Sequence, residues 1–342
     1  MIDISNPEVL ENYLLDRKVI SKQDGYQLNY CKGGVSCTVA FVYAGDKPLI
    51  IKQGLAQLKV RDEWLCDPNR MYIEYGSNRV YHDLVPQAAP EVYFYDPENY
   101  IYGRQAVPED WRMWKADLMS GLMDFEAAGK TIQALSTVHR HCAKDEAVKE
   151  EFADKSIFYN LRVSPYLEFV LGKYPELESY ARPIIRELMD SAITLVHGDF
   201  SPKNIMTKDR EVSILDYEVA HYGHPSFDLA FFSTHFVLKS VKFPQWAPSF
   251  MNLLRCMMDR YFDQVDFMDA TALEASYVRL WAMIILARVD GKSPAEYITL
   301  DKDKALLRAI SRAIIDRRIE RRDAAVQLVL DMVQTPEGTK ND

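Results

Sequence analysis

The chain has 342 residues, 48% of them hydrophobic and 27% charged, and its formal net charge is −9. This composition is typical of a soluble globular protein, and the length favours two lobes over one core. The negative charge argues against nucleic-acid binding, which needs basic surface to neutralise phosphates. No apolar run approaches the roughly 20 residues of a membrane span, so no membrane partner is expected.

The start of the chain and its cysteines indicate a reduced, cytoplasmic protein. The opening MIDISNPEVLENYL has neither the basic stretch nor the apolar core of a secretory signal. The five cysteines are odd in number and scattered, without a CxxC pair. Reduced, mostly buried thiols are therefore expected instead of disulfides or a zinc site. The oligomeric state stays open.

The first part of the chain predicts a β-rich lobe. Short apolar stretches between Gly and Asp turns predict an antiparallel meander at residues 28–31, 38–43 and 49–53. A charged helix is predicted from about Arg70, and the stretch 90–107 is typical of two closing strands. We expect this lobe to cover residues 1–104.

The rest of the chain predicts a larger, mainly helical lobe at residues 105–334. Apolar and aromatic stripes at helical spacing predict helices at about 121–139, 226–240, 246–264, 270–289 and, as one or two helices, 305–333. Such stripes usually form core. The last residues, 335–342, are predicted to be a disordered tail.

Two acidic side chains and one amide stand at the spacing that phosphoryl transfer from ATP requires. In LVHGDFSPKNIM, Asp199 is followed five residues later by Asn204, and Asp216 closes a short apolar strand. A hairpin predicted at about 205–215 should bring Asn204 and Asp216 side by side. Asp199 can accept or orient a hydroxyl, while an amide and a carboxylate suit Mg²⁺ on nucleotide phosphates. An isolated His-Gly-Asp is usually a turn, but the three residues together favour the functional interpretation.

Two nearby residues are interpreted as supports of this loop. His197 could touch substrate, but bracing the loop through hydrogen bonds is the favoured interpretation. Asp228, in SFDLAFF, stands among apolar residues. Because an unpartnered buried carboxylate is costly, we expect it to accept backbone or His donors from the catalytic loop.

These segments resemble the aminoglycoside phosphotransferase and choline kinase family, which has a protein-kinase-like fold. The family pattern of His-Gly-Asp, a later Asn and Asp-x-Glu is matched at His197, Asp199, Asn204, Asp216 and Glu218. ARVDGKSPAEYI (287–298) also looks like a stretch seen in bacterial members. The resemblance implies an α+β fold with a small antiparallel N-lobe and a mainly helical C-lobe. It also implies Asp199 as catalytic base, Asn204 and Asp216 as magnesium ligands, and ATP and Mg²⁺ as cofactors. Glu218 could equally be a solvated loop acid.

Such a fold implies a lysine that meets the nucleotide phosphates. Lys52, in LIIKQ, stands where this strand lysine is expected, although an exposed strand lysine is the commoner fate. Glu74 on the following helix could pair with Lys52 and fix its orientation. Asp62 and Glu63 are the alternative partners of Lys52.

The turn at residues 32–36 is the natural loop over the phosphates. Its Gly33 and Gly34 would let backbone N–H groups approach, with Ser36 beside them. A Gly-Gly hairpin alone means only a turn, and the chain has no GxxxxGK[ST] motif of the P-loop class.

The nucleotide lobe is more narrowly similar to the methylthioribose kinase branch of the same family. The similarity runs through GGVSCTVAFVYAGDKPLIIKQGLAQLKV and then EWLCDPNRMYIEYG, and it supports Glu74 as the partner of Lys52. The catalytic loop departs from that branch, because this chain has Asn204 where the branch has a small hydroxyl residue.

Three classes of function remain open. A small-molecule kinase explains all the site residues together, and we expect its acceptor to be a mostly uncharged, sugar-like molecule of the pentose or thiosugar class. Within that class, aminoglycoside or choline/ethanolamine phosphotransferase is the alternative. A non-catalytic pseudokinase predicts decay of Lys52, Asp199, Asn204 or Asp216, and none has decayed. A protein kinase is disfavoured, since Gly198 stands in place of its Arg between the His and Asp, and Tyr217-Glu218 stands in place of its Phe-Gly.

Overall fold

A computed structural model describes residues 1–23, 25–31, 37–44, 47–55 and 67–334. The chain divides into two compact units. The first comprises Met1–Trp111 and Ser213–Val219, and the second comprises Arg112–Val212 and Ala220–Asp342. The first unit thus includes a short segment that comes much later in the chain.

The first unit is built on a five-stranded antiparallel sheet of order β1-β2-β3-β5-β4. Its elements are α1 (Pro7–Asp16), β1 (Tyr26–Tyr30), β2 (Cys37–Ala44), β3 (Lys47–Gly54), α2 (Arg70–Leu84), β4 (Val92–Asp96) and β5 (Ile101–Gln105). Helix α1 begins where the Asn6 side chain accepts the backbone N–H groups of Glu8 and Val9, with Pro7 in the first turn.

The two faces of β3 have different neighbours. Leu49 and Ile51 join a buried apolar cluster that also contains Leu10 and Leu14 of α1. Because side chains alternate along a strand, Lys52 projects from the opposite face, where α2 lies. The alternation of side chains along β3 therefore places Lys52 beside α2 and not in the apolar cluster.

The second unit is mainly helical. Its first part contains β6 (Arg112–Met113), α3 (Trp114–Met119), α4 (Phe125–Cys142), α5 (Glu146–Glu151), α6 (Ser156–Phe158), a π-helix (Tyr159–Glu168), α7 (Phe169–Lys173), a 3₁₀ turn (Pro175–Leu177) and α8 (Glu178–Asp190). Then follow β7 (Thr194–Val196), a 3₁₀ turn (Pro202–Asn204), β8 (Ile205–Lys208), β9 (Glu211–Ile214) and β10 (His221–Gly223). Strand β10 pairs antiparallel with β7, and β8 lies between β6 and β9.

Long helices complete the second unit and form its core. They are α9 (Ser226–Lys242), α10 (Ala247–Phe262), α11 (Ala270–Asp290), α12 (Asp301–Asp316) and α13 (Arg322–Gln334), with a 3₁₀ turn at Pro244–Trp246. Helix α9 packs against both α10 and α11. Nearly every residue of α9 is buried, including its polar ones.

Most predicted elements are confirmed, with corrections at their ends. The meander, the hairpin of β8 and β9, and the core helices occur where the sequence predicts them. The helix predicted from 121 begins instead at Phe125, because the Asp124 side chain caps it by accepting two backbone N–H groups. The stretch 305–333 forms two helices, and the first starts earlier, at Asp301.

Helix α11 is long and apolar enough to cross a membrane by length and composition alone, with a mean hydropathy of 1.3. Its most apolar window is 72% buried inside the structure. Core helices of soluble proteins pass the same test, so this helix is weak support for a membrane span.

Candidate active site

Strand β3 and helix α2 bring Lys52 into an ion pair with Glu74. The Nζ atom of Lys52 lies 2.6 and 2.8 Å from the two carboxylate oxygens of Glu74 and 3.2 Å from Oδ1 of Asp216. Lys52 is 8% exposed and Glu74 is fully buried. Burial opposes the charge, but Glu74 and Asp216 hold the pKa of Lys52 well above its usual value. Lys52 is therefore a fixed cation beside two carboxylates.

Residues 216–218 pack against one face of α2. Arg70, Glu74, Ser77 and Tyr81 recur at helical spacing and lie on that face. Arg70 Nε lies 3.1 Å from a Glu218 oxygen, and the Ser77 hydroxyl donates to the Tyr217 carbonyl over 3.3 Å. The Tyr81 and Tyr217 rings pack with centroids 4.8 Å apart. Glu218 is thus an ion-paired residue and not the solvated acid that the sequence left open.

Asp216 has the properties of a metal ligand. Its φ of 70° lies in the left-handed region, which costs a non-glycine residue energy and often marks a functional position. Its side chain is 32% exposed, so it is reachable although Lys52 touches it. Ligand oxygens of Glu74, Asp216 and Glu218 lie within 4.8 Å of one another. This oxygen-only donor set fits Mg²⁺, which prefers carboxylates completed by water and phosphate oxygens.

Several predicted residues lie outside the part of the chain that the structure describes. They are the phosphate-loop candidates Gly33, Gly34 and Ser36, the alternative lysine partners Asp62 and Glu63, Cys66, and the tail 335–342. Their predicted roles stay predictions.

In the second unit, Asp199 is a buried carboxylate that three side chains hold. Arg162 Nη2 lies 2.8 Å from Oδ1, and Lys203 Nζ lies 2.9 Å from Oδ2. The Asn204 amide donates to Oδ2 over 2.8 Å and to the Asp199 carbonyl over 3.0 Å. Asp199 is only 4% exposed. Its carboxylate is therefore fixed in orientation, as a group that must accept a hydroxyl proton requires.

The π-helix explains how Arg162 reaches Asp199. Pro165 has no N–H and cannot continue an α-helical hydrogen-bond pattern, and the chain here adopts wider π turns. Arg162 Nε donates to the Gly198 carbonyl over 2.8 Å. Gly198 has a φ of 76°, a conformation that glycine adopts without strain. The guanidinium thus contacts both the loop backbone and its acid.

Asn204 also fits a magnesium ligand. Its Nδ2 group donates twice to Asp199, so the amide oxygen is directed away from that residue. Asn204 belongs to the second unit and Asp216 to the first. That the two side chains lie side by side stays a prediction.

Asp228 holds the backbone of the loop that carries Asp199. Its carboxylate accepts the N–H groups of His197 and Gly198 over 2.7 and 2.9 Å, and His139 Nε2 lies 3.2 Å from Oδ2. Backbone and His donors are the kinds that the sequence predicts for Asp228. Burial works against the charge, but His139 and His197 hold the pKa of Asp228 below its usual value. His197 in turn accepts the Asp199 N–H at its Nδ1 over 3.2 Å, which is a bracing contact.

We expect Asp228→Asn to destabilise the second unit strongly. The variant exchanges a carboxylate for an amide that cannot accept both loop N–H groups and the His139 donor equally well. Removing one partner of a buried charged network costs about 3 kcal/mol or more. The pKa of Asp228 is lower in the folded protein than in the unfolded chain. The stability that its carboxylate contributes is therefore fully present above the unfolded pKa and is lost as pH falls through the folded pKa. Denaturant unfolding at neutral pH and near pH 3 measures the difference.

Asp269→Asn is the matched control for this exchange. Asp269 is an exposed N-cap of α11, and Asn caps a helix about as well as Asp. Its unfolding free energy should stay within a few tenths of wild type, on the order of 0.5 kcal/mol. Equal effects of the two substitutions would contradict the assigned role of Asp228.

Other polar residues near the motif have structural partners. Asp124 caps α4, Asp117 pairs with Arg112, and Glu126 lies 3.0 Å from Arg210. These acids, all in the second unit, are therefore engaged in holding that unit together. They do not form a free acidic wall among the described residues.

The histidines and tyrosine after Asp216 are buried in the second unit. The His221 ring stacks on Phe158 with centroids 3.9 Å apart, and the Tyr222 hydroxyl donates to the Cys142 carbonyl over 2.9 Å. His224 is 4% exposed. The described contacts of these residues are therefore structural.

Sequence reasoning missed several residues that contact the loop. Lys203 stands inside the motif at i+4 from Asp199, a spacing that marks a helical-turn ion pair. Arg162 and His139 carry no local signal, because they reach the loop from remote helices.

Residues 124–249 match the model of the family described as "Phosphotransferase enzyme family". The matched stretch lies mostly in the second unit and covers less than half of the chain. Solved structures with a similar fold include Plasmodium vivax ethanolamine kinase, with a TM-score of 0.55 and 12% identity, covering 93% of this chain and 92% of that one. The amicoumacin kinase hAmiN gives a TM-score of 0.52 at 13% identity, over 91% and 95% of the chains. The predicted α+β, protein-kinase-like fold is confirmed.

The similar relatives include methylthioribose kinases. Methylthioribose kinase 2 of Oryza sativa subsp. japonica is 22% identical over 230 residues, covering 58% of this chain and 53% of its own. The chain thus spans about half the length of the curated relatives it matches. The similarity that the sequence indicates to this branch is confirmed.

Proposed function

We propose that this protein is an ATP-dependent kinase that transfers the γ-phosphate to a hydroxyl of a small sugar-like molecule. The observation that carries the proposal is the Lys52–Glu74 ion pair with Asp216 beside it. A strand lysine fixed by a helix glutamate, next to a metal-binding aspartate, is the arrangement that kinases use to hold nucleotide phosphates.

Each half of the candidate site has a distinct task in this reaction. Lys52 binds the α- and β-phosphates in the orientation that Glu74 sets. Asp216 would hold Mg²⁺, with Glu218 close to it, and Asn204 is the second predicted ligand. Bound Mg²⁺ supplies neutralisation of charge on the phosphates during transfer. The solved amicoumacin kinase contains AMP-PNP and Ca²⁺, which supports a nucleotide and a divalent cation here.

Asp199 serves the acceptor. Its fixed carboxylate accepts a hydrogen bond from the acceptor hydroxyl and orients the oxygen toward the γ-phosphorus. The acceptor oxygen forms a bond to phosphorus while the bond to the ADP oxygen breaks. The hydroxyl proton passes to Asp199 and from there to water. Arg162 and Lys203 keep the carboxylate in place throughout.

The pentose or thiosugar class is the acceptor we favour. The similarity to methylthioribose kinases supports a sugar hydroxyl as acceptor. Aminoglycosides and choline are cations, and they would need acidic or aromatic walls to replace their lost hydration. Asp117, Asp124 and Glu126, three acids early in the second unit, are engaged in structural contacts. The cationic acceptors are therefore disfavoured.

A screen of ATP turnover tests the acceptor class. Purified protein with Mg²⁺ and ATP is assayed against pentoses, methylthioribose, amino sugars, aminoglycosides and choline. We expect turnover with a sugar-like acceptor at least tenfold above that with kanamycin or choline. Robust kanamycin or choline turnover with no sugar accepted would refute the acceptor class and leave the kinase function standing.

A further inference from the structure

Basic side chains form a connected group that starts at Asp199 and runs into the core of the second unit. Its members are Lys115, Arg162, Lys203, His235, Lys239 and Arg288, and we refer to them as the basic cluster. They come from five different helical segments or loops, so no local sequence pattern indicates that they form a cluster.

The first part of the cluster leads from Asp199 to Arg288 through one tyrosine. Arg162, which contacts Asp199, has its guanidinium 6.0 Å from the centroid of the Tyr166 ring. Arg288 approaches the same tyrosine, with its guanidinium 5.8 Å from the ring and its Nη1 donating to the hydroxyl over 3.1 Å. Two guanidinium groups therefore converge on Tyr166 next to the catalytic acid.

The second part of the cluster is centred on another tyrosine. Lys239 Nζ lies 5.5 Å and Lys115 Nζ lies 5.4 Å from the centroid of the Tyr297 ring. Lys239 also donates to the His235 carbonyl over 3.4 Å. Two ammonium groups thus share one aromatic ring, which attracts cations but cannot neutralise them.

The buried members of the cluster lack an anionic partner among the described residues. Lys239 is fully buried and Arg288 is 9% exposed, yet neither forms an ion pair with a described carboxylate. In the part of the chain that the structure describes, Arg288 Nε, His235 Nε2 and the Tyr297 hydroxyl have no hydrogen-bond partner. The carboxylate nearby, Glu296, pairs with Lys115 and is 66% exposed.

Burying a cation without an anionic partner costs free energy, and the pKa values of the basic cluster are displaced accordingly. Burial, together with Lys115, lowers the pKa of Lys239 to about 7. Burial is the largest cause that holds the pKa of His235 well below its usual value, and the charges of Lys239 and Arg288 add to it. Burial alone would raise the pKa of Tyr166, but Arg288 and Arg162 bring it below the usual value. The region therefore carries a positive potential that a bound anion would neutralise.

We propose that the acceptor carries an oxyanion, a carboxylate or a phosphate, which binds Lys239, Arg288 and Tyr297 while the acceptor hydroxyl lies against Asp199. This inference rests on the proposed kinase function and deepens it. It replaces the expectation of a mostly uncharged acceptor with a sugar acid or a sugar phosphate. The same positive potential repels choline and aminoglycosides, which adds a physical reason for their exclusion.

Calorimetry with a matched set of probes tests the proposal. D-ribose, D-ribonate and D-ribose 5-phosphate share a pentose frame and differ in their anionic group, and choline is the cationic probe. We expect at least one of the two anions to bind more tightly than ribose by about tenfold or more, and choline not to bind. The carboxylate and phosphate arms show which oxyanion fits. Equal binding of ribose and both anions would overturn the proposal.

Two variants connect the anion to the basic cluster. Lys239→Met and Arg288→Gln should each raise KM for the anionic acceptor about 10- to 100-fold, with KM for ATP unchanged. Lys242→Met is the control, because Lys242 lies on the same helix within one turn of Lys239 and outside the cluster. Lys239→Met should fold well, since Met retains an unbranched chain and removes a buried charge. An unchanged anion affinity in both variants would also overturn the proposal.

Failure of this inference and failure of the proposed function give different results. Turnover of a neutral sugar with no preference for anions would refute the inference alone. Absence of Mg²⁺-dependent nucleotide binding and of all ATP turnover would refute the kinase function. The calorimetric comparison of anion with ribose would still decide whether the basic cluster binds an oxyanion.

Discussion

Asp199→Asn should reduce turnover with the true acceptor by about a thousandfold or more while leaving Mg²⁺–ATP affinity within twofold of wild type. The amide that replaces the carboxylate cannot take up a proton, and its N–H₂ group would face Arg162 or Lys203 instead of accepting from them. The acceptor hydroxyl then loses the group that orients it. Single-turnover kinetics and calorimetric titration of Mg²⁺–ATP measure the two quantities separately.

Asp209→Asn is the control for this substitution. Asp209 is exposed in the turn between β8 and β9 and has a φ of 49°, a conformation that Asn tolerates well. Its turnover should equal that of wild type. Thermal unfolding of both variants checks that the loss of rate in Asp199→Asn does not come from loss of the fold. A near-normal rate in a folded Asp199→Asn protein would remove Asp199 from the catalytic role.

The loop that carries Asp199 could be predicted because its structure depends on adjacent residues. Strand β7, the turn at Gly198, the 3₁₀ turn at Pro202–Asn204 and the β8–β9 hairpin each follow from a few adjacent residues. Short-range turn chemistry and strand periodicity fix such segments with little help from the rest of the chain. The contact of Asn204 with Asp199 also needs only this loop.

Predicting the ion pair of Lys52 and Glu74 required one step beyond local sequence. The alternation along β3 and the helix predicted from about Arg70 were visible in the sequence, but three acids competed for the lysine. The period of α2 explains the structure, because Glu74 stands one turn after Arg70 and both face the segment 216–218. Helix α1 was missed although its start signal, Asn6 followed by Pro7, was present.

The supports of Asp199 and Asp228 could not be predicted, because they depend on tertiary packing. Arg162 stands on a π-helix, and periodicity at α-helical or strand spacing does not detect such a helix. His139 meets Asp228 across 89 positions of sequence. The basic residues Lys239 and Arg288 lie within apolar stripes that are typical of core helices. Their charge becomes informative only when burial shows that no described carboxylate neutralises it.

The strongest test of the nucleotide half of the site is substitution of Asp216, which should abolish Mg²⁺-dependent nucleotide binding. Asp216→Ala removes the reachable carboxylate, so the affinity for Mg²⁺–ATP should fall by about a hundredfold or more. Alanine is also strained at a φ of 70°, by about 1 kcal/mol, which would confuse loss of the ligand with loss of the fold. Asp216→Asn removes the charge but tolerates the left-handed conformation, so both variants are needed.

The two variants separate charge from strain. Both should lose Mg²⁺-dependent binding, and Asp216→Ala should unfold at a lower temperature than Asp216→Asn. Asp83→Asn, at an exposed position of α2 in the same unit, should bind Mg²⁺–ATP as wild type does. Lys52 keeps its contacts with Glu74 in all three proteins, so nucleotide without metal should still bind weakly and equally. Unchanged Mg²⁺–ATP affinity in both Asp216 variants would show that this carboxylate does not hold the metal, and the assignment of the nucleotide half would then rest on Lys52 alone.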